Sequence, residues 1–243
     1  MFSLTDLKGS NLPDKTLCLT FDDGPGTSSN IGSGSRTQEL AEYLFEEEII
    51  ATFFMVGKFI NEFPDITAKV KNLGHIIGNH TYSHHNLIEY YKDKDGSIIN
   101  KESLINDISC TEELLKKHDC NSTIYFRAPY GMWDKDIANY LNNNLVSSNK
   151  YIGPIHWDIE GKDYDYWLEN AVDSAEQCEK KYIDQLIGKN MHGIILMHDS
   201  CADNNNDAEI RRFNNKILET VKLMIPKLKK DGYTFIGVDK INF

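Results

Sequence analysis

The sequence has no apolar run approaching the roughly 18 residues that a membrane-spanning helix requires. Residues 1–8 also lack the basic segment followed by an apolar one that marks a secretory signal peptide. We therefore expect no membrane span. The protein then either stays inside the cell or has had a leader removed, and the sequence is compatible with both.

Positive charge is scarce as well. The chain contains 26 Lys and Arg against 37 Asp and Glu, which gives a formal net charge of -11. Phosphate backbones and anionic lipids attract basic surfaces, and no basic patch is visible. We therefore expect no nucleic-acid partner.

Paired cysteines are missing too. The five cysteines are odd in number and contain no Cys-x-x-Cys pair. Free and mostly buried thiols are the expected state, with a Cys110–Cys120 bridge as the alternative.

Short apolar runs alternate with amphipathic stretches along the whole chain. The predicted strands cover residues 16–21, 51–56, 75–78, 124–126, 151–157, 193–197 and 234–238. The predicted helices cover residues 36–48, 64–73, 101–117, 134–141, 166–186 and 208–230, with an exposed loop at 89–100. Because the predicted strands and helices alternate in one uninterrupted series, we predict a single α/β domain with a parallel sheet. About seven units in this length favour a distorted (β/α) barrel over an open sheet.

Two adjacent carboxylates, Asp22 and Asp23, end the first predicted strand, and Gly24-Pro25 turns the chain after them. Neighbouring side chains in extended backbone point to opposite sides, so one acid can hold a metal while the other faces a bound water. A solvated turn is the alternative interpretation.

Two histidines, His80 and His84, follow the third predicted strand. On a helical turn, residues four apart share a face, so both imidazoles can reach one ion. Asp23 would complete a set of two nitrogens and one carboxylate, which suits a catalytic metal with open positions. The same set binds Fe(II) in non-haem oxygenases, and a structural surface role for the histidines is a further alternative.

Arg127 and His198 each follow a later predicted strand. Either residue alone is more often a salt-bridge partner or a hydrogen-bonded core residue. Four strand ends, however, place ionisable groups on one side of the predicted barrel, as an active site at its C-terminal face requires.

These segments resemble the five motifs of the polysaccharide deacetylases of carbohydrate esterase family 4, also called NodB-homology domains. The resemblance covers roughly residues 16 to 240, in the order of the family. It implies an N-terminal segment at 1–15 and a catalytic domain at 16–243. The motifs correspond to residues 20–25, 80–84, 127–130, 160–164 and 196–198.

The resemblance implies a role for each charged residue near the predicted metal. Asp22 would be the general base, steered by Arg127. Asp23, His80 and His84 would hold Zn²⁺, or another divalent metal such as Co²⁺ or Ni²⁺.

The resemblance also implies which residues form the opposite side of the site. His198 would be the general acid, supported by Asp163, and the backbone N–H of Tyr130 would help to hold the oxyanion. Leu196 and Tyr164 would line the acetyl pocket.

Three features depart from the family pattern. In the fourth motif, Asp158 or Asp165 is an alternative to Asp163 as the acid that supports His198. His85 stands where a proline is common and competes with His84 as a ligand. The loop at residues 26–35 is long, and we expect it beside the site.

The resemblance implies a hydrolase that removes acetyl groups from N-acetylglucosamine polymers, chitin, chitooligosaccharide or peptidoglycan, and releases acetate. An O-acetyl esterase acting on acetylxylan with the same groups is an alternative, and so is a catalytically silent glycan-binding barrel. We expect an acetylated glycan as the only partner and a monomeric protein. Family members are usually extracellular or associated with the cell wall, and a cytoplasmic location stays open.

Overall fold

The computed structural model describes residues 1–28, 34–118, 123–169 and 171–243. In these ranges the strands are β1 (Thr16–Asp22), β2 (Thr52–Met55), β3 (Ile76–Asn79), β4 (Thr123–Tyr125), β5 (Lys150–Ile152), β6 (Ile159–Glu160), β7 (Gly193–His198) and β8 (Thr234–Phe235). The α-helices are α1 (Thr37–Glu46), α2 (Gly57–Glu62), α3 (Pro64–Asn72), α4 (Leu87–Tyr91), α5 (Lys101–Lys117), α6 (Lys135–Asn144), α7 (Asp163–Glu169), α8 (Ser174–Leu186), α9 (Asn206–Asn214) and α10 (Ile217–Lys230). Short 3₁₀ turns cover Pro129–Gly131 and Val238–Lys240.

Every ladder between these strands is parallel, and β1 is central. The main sheet has the order β3-β2-β1-β7-β6, and β8 pairs with the first residues of β1. Strands β4 and β5 form a second sheet, which a bridge between Asn79 and Phe126 joins to β3. The predicted α/β class with a parallel sheet is confirmed.

The ring of strands is open between β5 and β6 in the described part of the chain. Backbone groups that follow β5 bond to the N-terminal segment: Gly153 O accepts from Ser3 N at 2.7 Å, and His156 N donates to Leu7 O at 2.8 Å. The N-terminal segment therefore occupies the gap that another strand ladder would fill.

The two faces of β1 serve different purposes. Leu17, Leu19 and Phe21 belong to the main hydrophobic core. Cys18 belongs to a smaller apolar cluster that also contains Phe54, Ile155, Ile194 and Val238. Because alternate strand residues share a face, Thr20 and Asp22 lie on the side of Cys18. The apolar cluster is therefore the floor beneath the charged end of the strand.

Several predicted boundaries are wrong, each for a local reason. The strand predicted at 151–157 ends at Ile152, because the following Gly153-Pro154 pair interrupts it and proline has no N–H to donate. The helix predicted at 208–230 breaks at Asn215, whose side chain accepts from Ile217 N and donates to His198 O.

The helix predicted at 166–186 is likewise two helices, α7 and α8. Helix α2 was not predicted, and α4 occupies part of the predicted loop at 89–100.

Three of the cysteines, Cys18, Cys178 and Cys201, are free and buried, and Cys110 is free and exposed. The alternative Cys110–Cys120 bridge cannot be assessed, because Cys120 lies outside the described residues. In the described part of the chain, no helix has the length and apolar character to cross a membrane.

Candidate active site

The ends of β1, β3 and β7 meet at one edge of the sheet. In the register of the ladders, Asp22 of β1 lies beside His198 of β7 and Phe54 of β2. The bridge between Asn79 and Phe126 brings the neighbouring residues His80 and Arg127 to the same edge. A cavity of about 260 Å³ opens there. Its walls include both Asp22 and His198.

A candidate metal cluster lies in this cavity. One ligand atom from each of Asp23, His80 and His84 falls within 4.8 Å of the others, and all three residues are buried. Asp23 Oδ1 is 3.0 Å from His84 Nε2 and 3.6 Å from His80 Nε2. Burial disfavours the charge on Asp23, but His84 and His80 more than offset it, so its pKa lies well below the usual value.

The loop that holds the two histidines is not helical, so the predicted helical turn is wrong. Thr81 and His84 adopt the left-handed region, with φ of 62° and 59°. Asn79 Oδ1 accepts from Thr81 N at 2.9 Å, and Asp107 Oδ1 of α5 accepts from Ser83 N at 2.7 Å. These two side chains stabilise a turn in which the centres of the His80 and His84 imidazole rings lie 5.1 Å apart.

The donor set fits a divalent ion. His80 Nδ1 donates to Arg127 O at 2.9 Å, so Nε2 is the nitrogen left to bind an ion, and it is turned toward the two aspartates. Two imidazole nitrogens and one carboxylate leave coordination positions for water and substrate. His85, the competing ligand, instead stacks on Tyr90 at 3.8 Å.

Asp22 forms a buried ion pair with Arg127. Arg127 Nη1 donates to Asp22 Oδ1 at 2.7 Å and to Thr20 Oγ1 at 2.7 Å, and its Nε donates to Ile155 O at 2.9 Å. The guanidinium also lies 4.2 Å from the centre of the Phe54 ring. These contacts hold both members of the pair in one orientation.

His198 forms a second pair, with the buried Asp163. Its Nδ1 donates to Asp163 Oδ1 at 2.9 Å, and its backbone N donates to Asp163 Oδ2 at 2.7 Å. Burial alone would lower the pKa of His198, but the charge and hydrogen bond of Asp163 outweigh it and raise the pKa to about 10.

The two alternative acids lie elsewhere. Asp158 Oδ2 accepts from Gly9 N and Ile194 N at the opposite end of β7. Asp165 is exposed. Neither carboxylate lies where it would contact His198.

Leu196 and Tyr164 line the apolar side of the cavity, together with Trp157 and Trp167. The Tyr164 ring meets the His198 ring edge-on at 5.3 Å. The two tryptophans were not predicted. Trp157 follows the interrupted strand, and Trp167 lies in α7. Neither residue is ionisable, so neither belongs to the motifs from which the site was predicted.

Tyr130 stands at the mouth of the cavity. It adopts the left-handed region, with φ of 58°, and its ring lies 4.7 Å from that of His84. Its hydroxyl donates to Asp203 Oδ1 at 2.7 Å. Asp203 was not predicted, because the loop after β7 carries no recognised motif.

The predicted long loop at 26–35 is described only in part, since residues 29–33 lie outside the described ranges. Gly26, Thr27, Ser28 and Ser35 of this loop line a neighbouring cavity of about 1040 Å³. Ser200 and Asp203 line both cavities, so the two are adjacent.

Several known proteins are similar to this chain. A family model described as polysaccharide deacetylase matches residues 9–146, more than half of the chain. A chitooligosaccharide deacetylase of Azorhizobium caulinodans is 30% identical over 90% of each chain. A peptidoglycan-N-acetylglucosamine deacetylase of Bacillus cereus is 26% identical over 90% of this chain and 66% of its own.

Among solved structures, a chitin deacetylase of the fungal pathogen Colletotrichum lindemuthianum superimposes with a TM-score of 0.68 at 23% identity. The match covers 96% of this chain and 89% of the fungal one. It shows a shared fold.

Proposed function

Because this chain belongs to the polysaccharide deacetylase family, we propose that it removes acetyl groups from N-acetylglucosamine units of a polysaccharide. The proposed substrates are chitin, chitooligosaccharides and peptidoglycan, and the products are acetate and a free amine. The observation that carries the proposal is the cavity in which Asp22 and His198 flank the Asp23, His80 and His84 cluster.

Amide hydrolysis sets two requirements, because water is a weak nucleophile and an amine is a poor leaving group. The enzyme must take a proton from the water and give one to the departing nitrogen. A base and an acid are therefore needed on opposite sides of the reacting carbon. Asp22 and His198 are suitable groups, and both line one cavity.

We propose that Asp23, His80 and His84 hold Zn²⁺. When bound at such a site, a divalent ion polarises the acyl carbonyl and lowers the pKa of a coordinated water to about 7. The coordination chemistry supports zinc, since imidazole and carboxylate ligands with open positions are typical of catalytic zinc. Titration of the metal-free protein with Zn²⁺, Co²⁺ and Ni²⁺ identifies the preferred metal.

The surrounding residues then have distinct tasks. Asp22 Oδ2 accepts the proton of the attacking water, while Arg127 occupies Oδ1 and fixes the carboxylate. The Tyr130 N–H stabilises the oxyanion, a contribution of about 3 kcal/mol in comparable sites. His198 donates the proton on Nε2 to the leaving nitrogen, since its Nδ1 is bonded to Asp163.

An acetate-release assay on three substrates tests this proposal. Purified protein loaded with Zn²⁺ is incubated with chitin oligomers, peptidoglycan and acetylxylan, and acetate is measured. We expect release from at least one of the two N-acetylated glycans. Release from acetylxylan alone would make the protein an O-acetyl esterase, and no release from any of the three would contradict the proposal.

A further inference from the structure

The two histidines of the metal cluster differ in how their second ring nitrogen is satisfied. His80 Nδ1 donates to Arg127 O at 2.9 Å. His84 Nδ1 is buried and has no hydrogen-bond partner among the described residues. The His84 side chain is only 4% exposed, so solvent does not readily supply an acceptor.

This unsatisfied nitrogen has a chemical consequence. His84 Nε2 faces Asp23 Oδ1 at 3.0 Å, so it is the nitrogen that would bind a metal. A neutral imidazole that binds through Nε2 carries its proton on Nδ1. A buried N–H needs an acceptor, and metal-bound histidines usually donate theirs to a carboxylate, a carbonyl or a water.

Asp203 offers such an acceptor. Its Oδ1 lies 3.6 Å from His84 Nδ1. This separation exceeds the usual limit of about 3.2 Å for an N–H···O hydrogen bond. An approach of about 0.4 Å would bring the two atoms within this limit.

Asp203 is itself held by donors from two other segments. The Tyr130 hydroxyl donates to its Oδ1 at 2.7 Å, and Arg211 Nη1 of α9 donates to its Oδ2 at 3.4 Å. The Asp203 side chain is 18% exposed, so the carboxylate lies at the edge of the cavity rather than free in solvent. Oδ1, the oxygen nearer His84, is therefore fixed beside the imidazole.

We propose that Asp203 is a positioning residue of the metal site, which accepts the Nδ1 proton of His84 and orients Nε2 toward the ion. The same oxygen accepts from Tyr130, whose backbone N–H is the proposed oxyanion donor. Asp203 thereby connects a metal ligand to the loop that contacts substrate. The inference rests on the proposed metal site and not on the identity of the glycan.

Metal affinity tests this inference without any assay of turnover. Metal-free wild type, Asp203→Ala and Asp203→Asn are titrated with Zn²⁺ against a chromophoric chelator at neutral pH. We expect the alanine variant to bind Zn²⁺ about 10- to 100-fold more weakly, the range typical for loss of such a partner. The asparagine variant should lose less, because its amide oxygen still accepts a hydrogen bond but carries no charge.

Asp207→Asn is the matched control, since Asp207 is an exposed carboxylate in the first turn of α9. It should bind Zn²⁺ like the wild type. The melting temperature of each metal-free variant is measured in parallel. If Asp203→Ala lowers that temperature but leaves Zn²⁺ affinity unchanged, Asp203 has only a structural role and the inference is wrong.

If the alanine variant does not fold, the asparagine variant carries the test, because it has the same shape as the wild-type side chain. Zn²⁺ affinity equal to that of the Asp207→Asn control would overturn the inference. Failure of the proposed function is a separate result, seen as no acetate release by wild type with normal Zn²⁺ binding.

Discussion

The two walls of the cavity contain the same kind of ion pair in opposite orientations. At the end of β1, Asp22 faces the cavity and the guanidinium of Arg127 lies behind it at 2.7 Å. At the end of β7, His198 faces the cavity and the carboxylate of Asp163 lies behind it at 2.9 Å. Arg127 and Asp163 are almost completely buried, with side chains 1% exposed.

The difference agrees with the proposed roles of Asp22 as base and His198 as acid in the same small space. A cation behind a carboxylate fixes its orientation through a charge-assisted hydrogen bond and leaves the other oxygen to face the cavity. An anion behind an imidazole favours its protonated form, which donates one, and the raised pKa of His198 reflects this effect. In the proposed mechanism, each buried partner holds in one orientation the group that exchanges a proton.

Removing the metal should have the largest effect, since the proposed ion serves both walls. We expect dialysis against a chelator to lower acetate release by about 10³-fold or more, because Lewis-acid stabilisation is worth several kcal/mol. Adding back Zn²⁺ should restore the rate. Full activity in protein shown by elemental analysis to hold no metal would mean that the two walls act without an ion.

Weakening the Asp22–Arg127 pair at the end of β1 should have the next largest effect. Arg127→Lys keeps the charge but loses the planar group that contacts Asp22, Thr20 and the Ile155 carbonyl together. We expect kcat to fall about 10²-fold, as for a misplacement of about 1 Å at a catalytic group. Zn²⁺ content should stay near that of the wild type.

Arg36→Lys is the control for this change, because Arg36 pairs with Glu219 away from the cavity. It should leave kcat unchanged. If Arg127→Lys were as active as Arg36→Lys, the pair on the β1 wall would not position the base.

Weakening the His198–Asp163 pair at the end of β7 should change the pH profile as well as the rate. In Asp163→Asn the pKa of His198 should fall, because the charge and hydrogen bond that offset burial most strongly are lost. Fewer molecules would then hold the proton at pH 7, so we expect about tenfold lower kcat. The loss should grow as pH rises.

The sign of this effect follows from the raised pKa of His198 in the wild type, about 10 without metal. A bound cation repels the imidazolium, so the alkaline limb of the loaded enzyme should lie below 10. In Asp163→Asn this limb should move to lower pH. The exposed Asp165→Asn on the same helix is the control, and an unmoved limb in Asp163→Asn would contradict the assigned pair.

The smallest effect is expected at Tyr164. Its hydroxyl bonds to Glu160 Oε1 at the long distance of 3.4 Å, while its ring contacts His198. Tyr164→Phe keeps the ring, so we expect kcat to change by no more than about threefold. A loss of more than about tenfold would place the hydroxyl among the groups that contact substrate.

Much of the fold and several members of the site could be predicted from local pattern. Helix α5 matches its predicted range, Lys101–Lys117, because its apolar periodicity is long and regular. Strand β7 was predicted one residue short, and its last residue, His198, was among the predicted site residues. Ionisable residues directly after apolar runs are visible in sequence, and parallel strands bring such ends together.

Other features depend on contacts that are distant in sequence. The turn at 80–84 is stabilised by Asp107 of α5, 24 residues from its partner Ser83. The break between α9 and α10 depends on Asn215 contacting the end of β7. Asp203 is recognisable as part of the candidate site only in the fold, where Tyr130, which follows β4, and His84, which follows β3, lie beside it. The local periodicity of the sequence does not predict these long-range contacts.

The two adjacent carboxylates Asp22 and Asp23 are proposed to have different tasks, and one paired measurement tests this most directly. Zinc content and acetate release are measured on the same samples of Asp22→Asn and Asp23→Asn. We predict that Asp22→Asn retains its zinc and loses about 10²- to 10⁴-fold in kcat, whereas Asp23→Asn loses both. An Asp22→Asn protein that loses zinc, or that turns over like the wild type, would contradict the account.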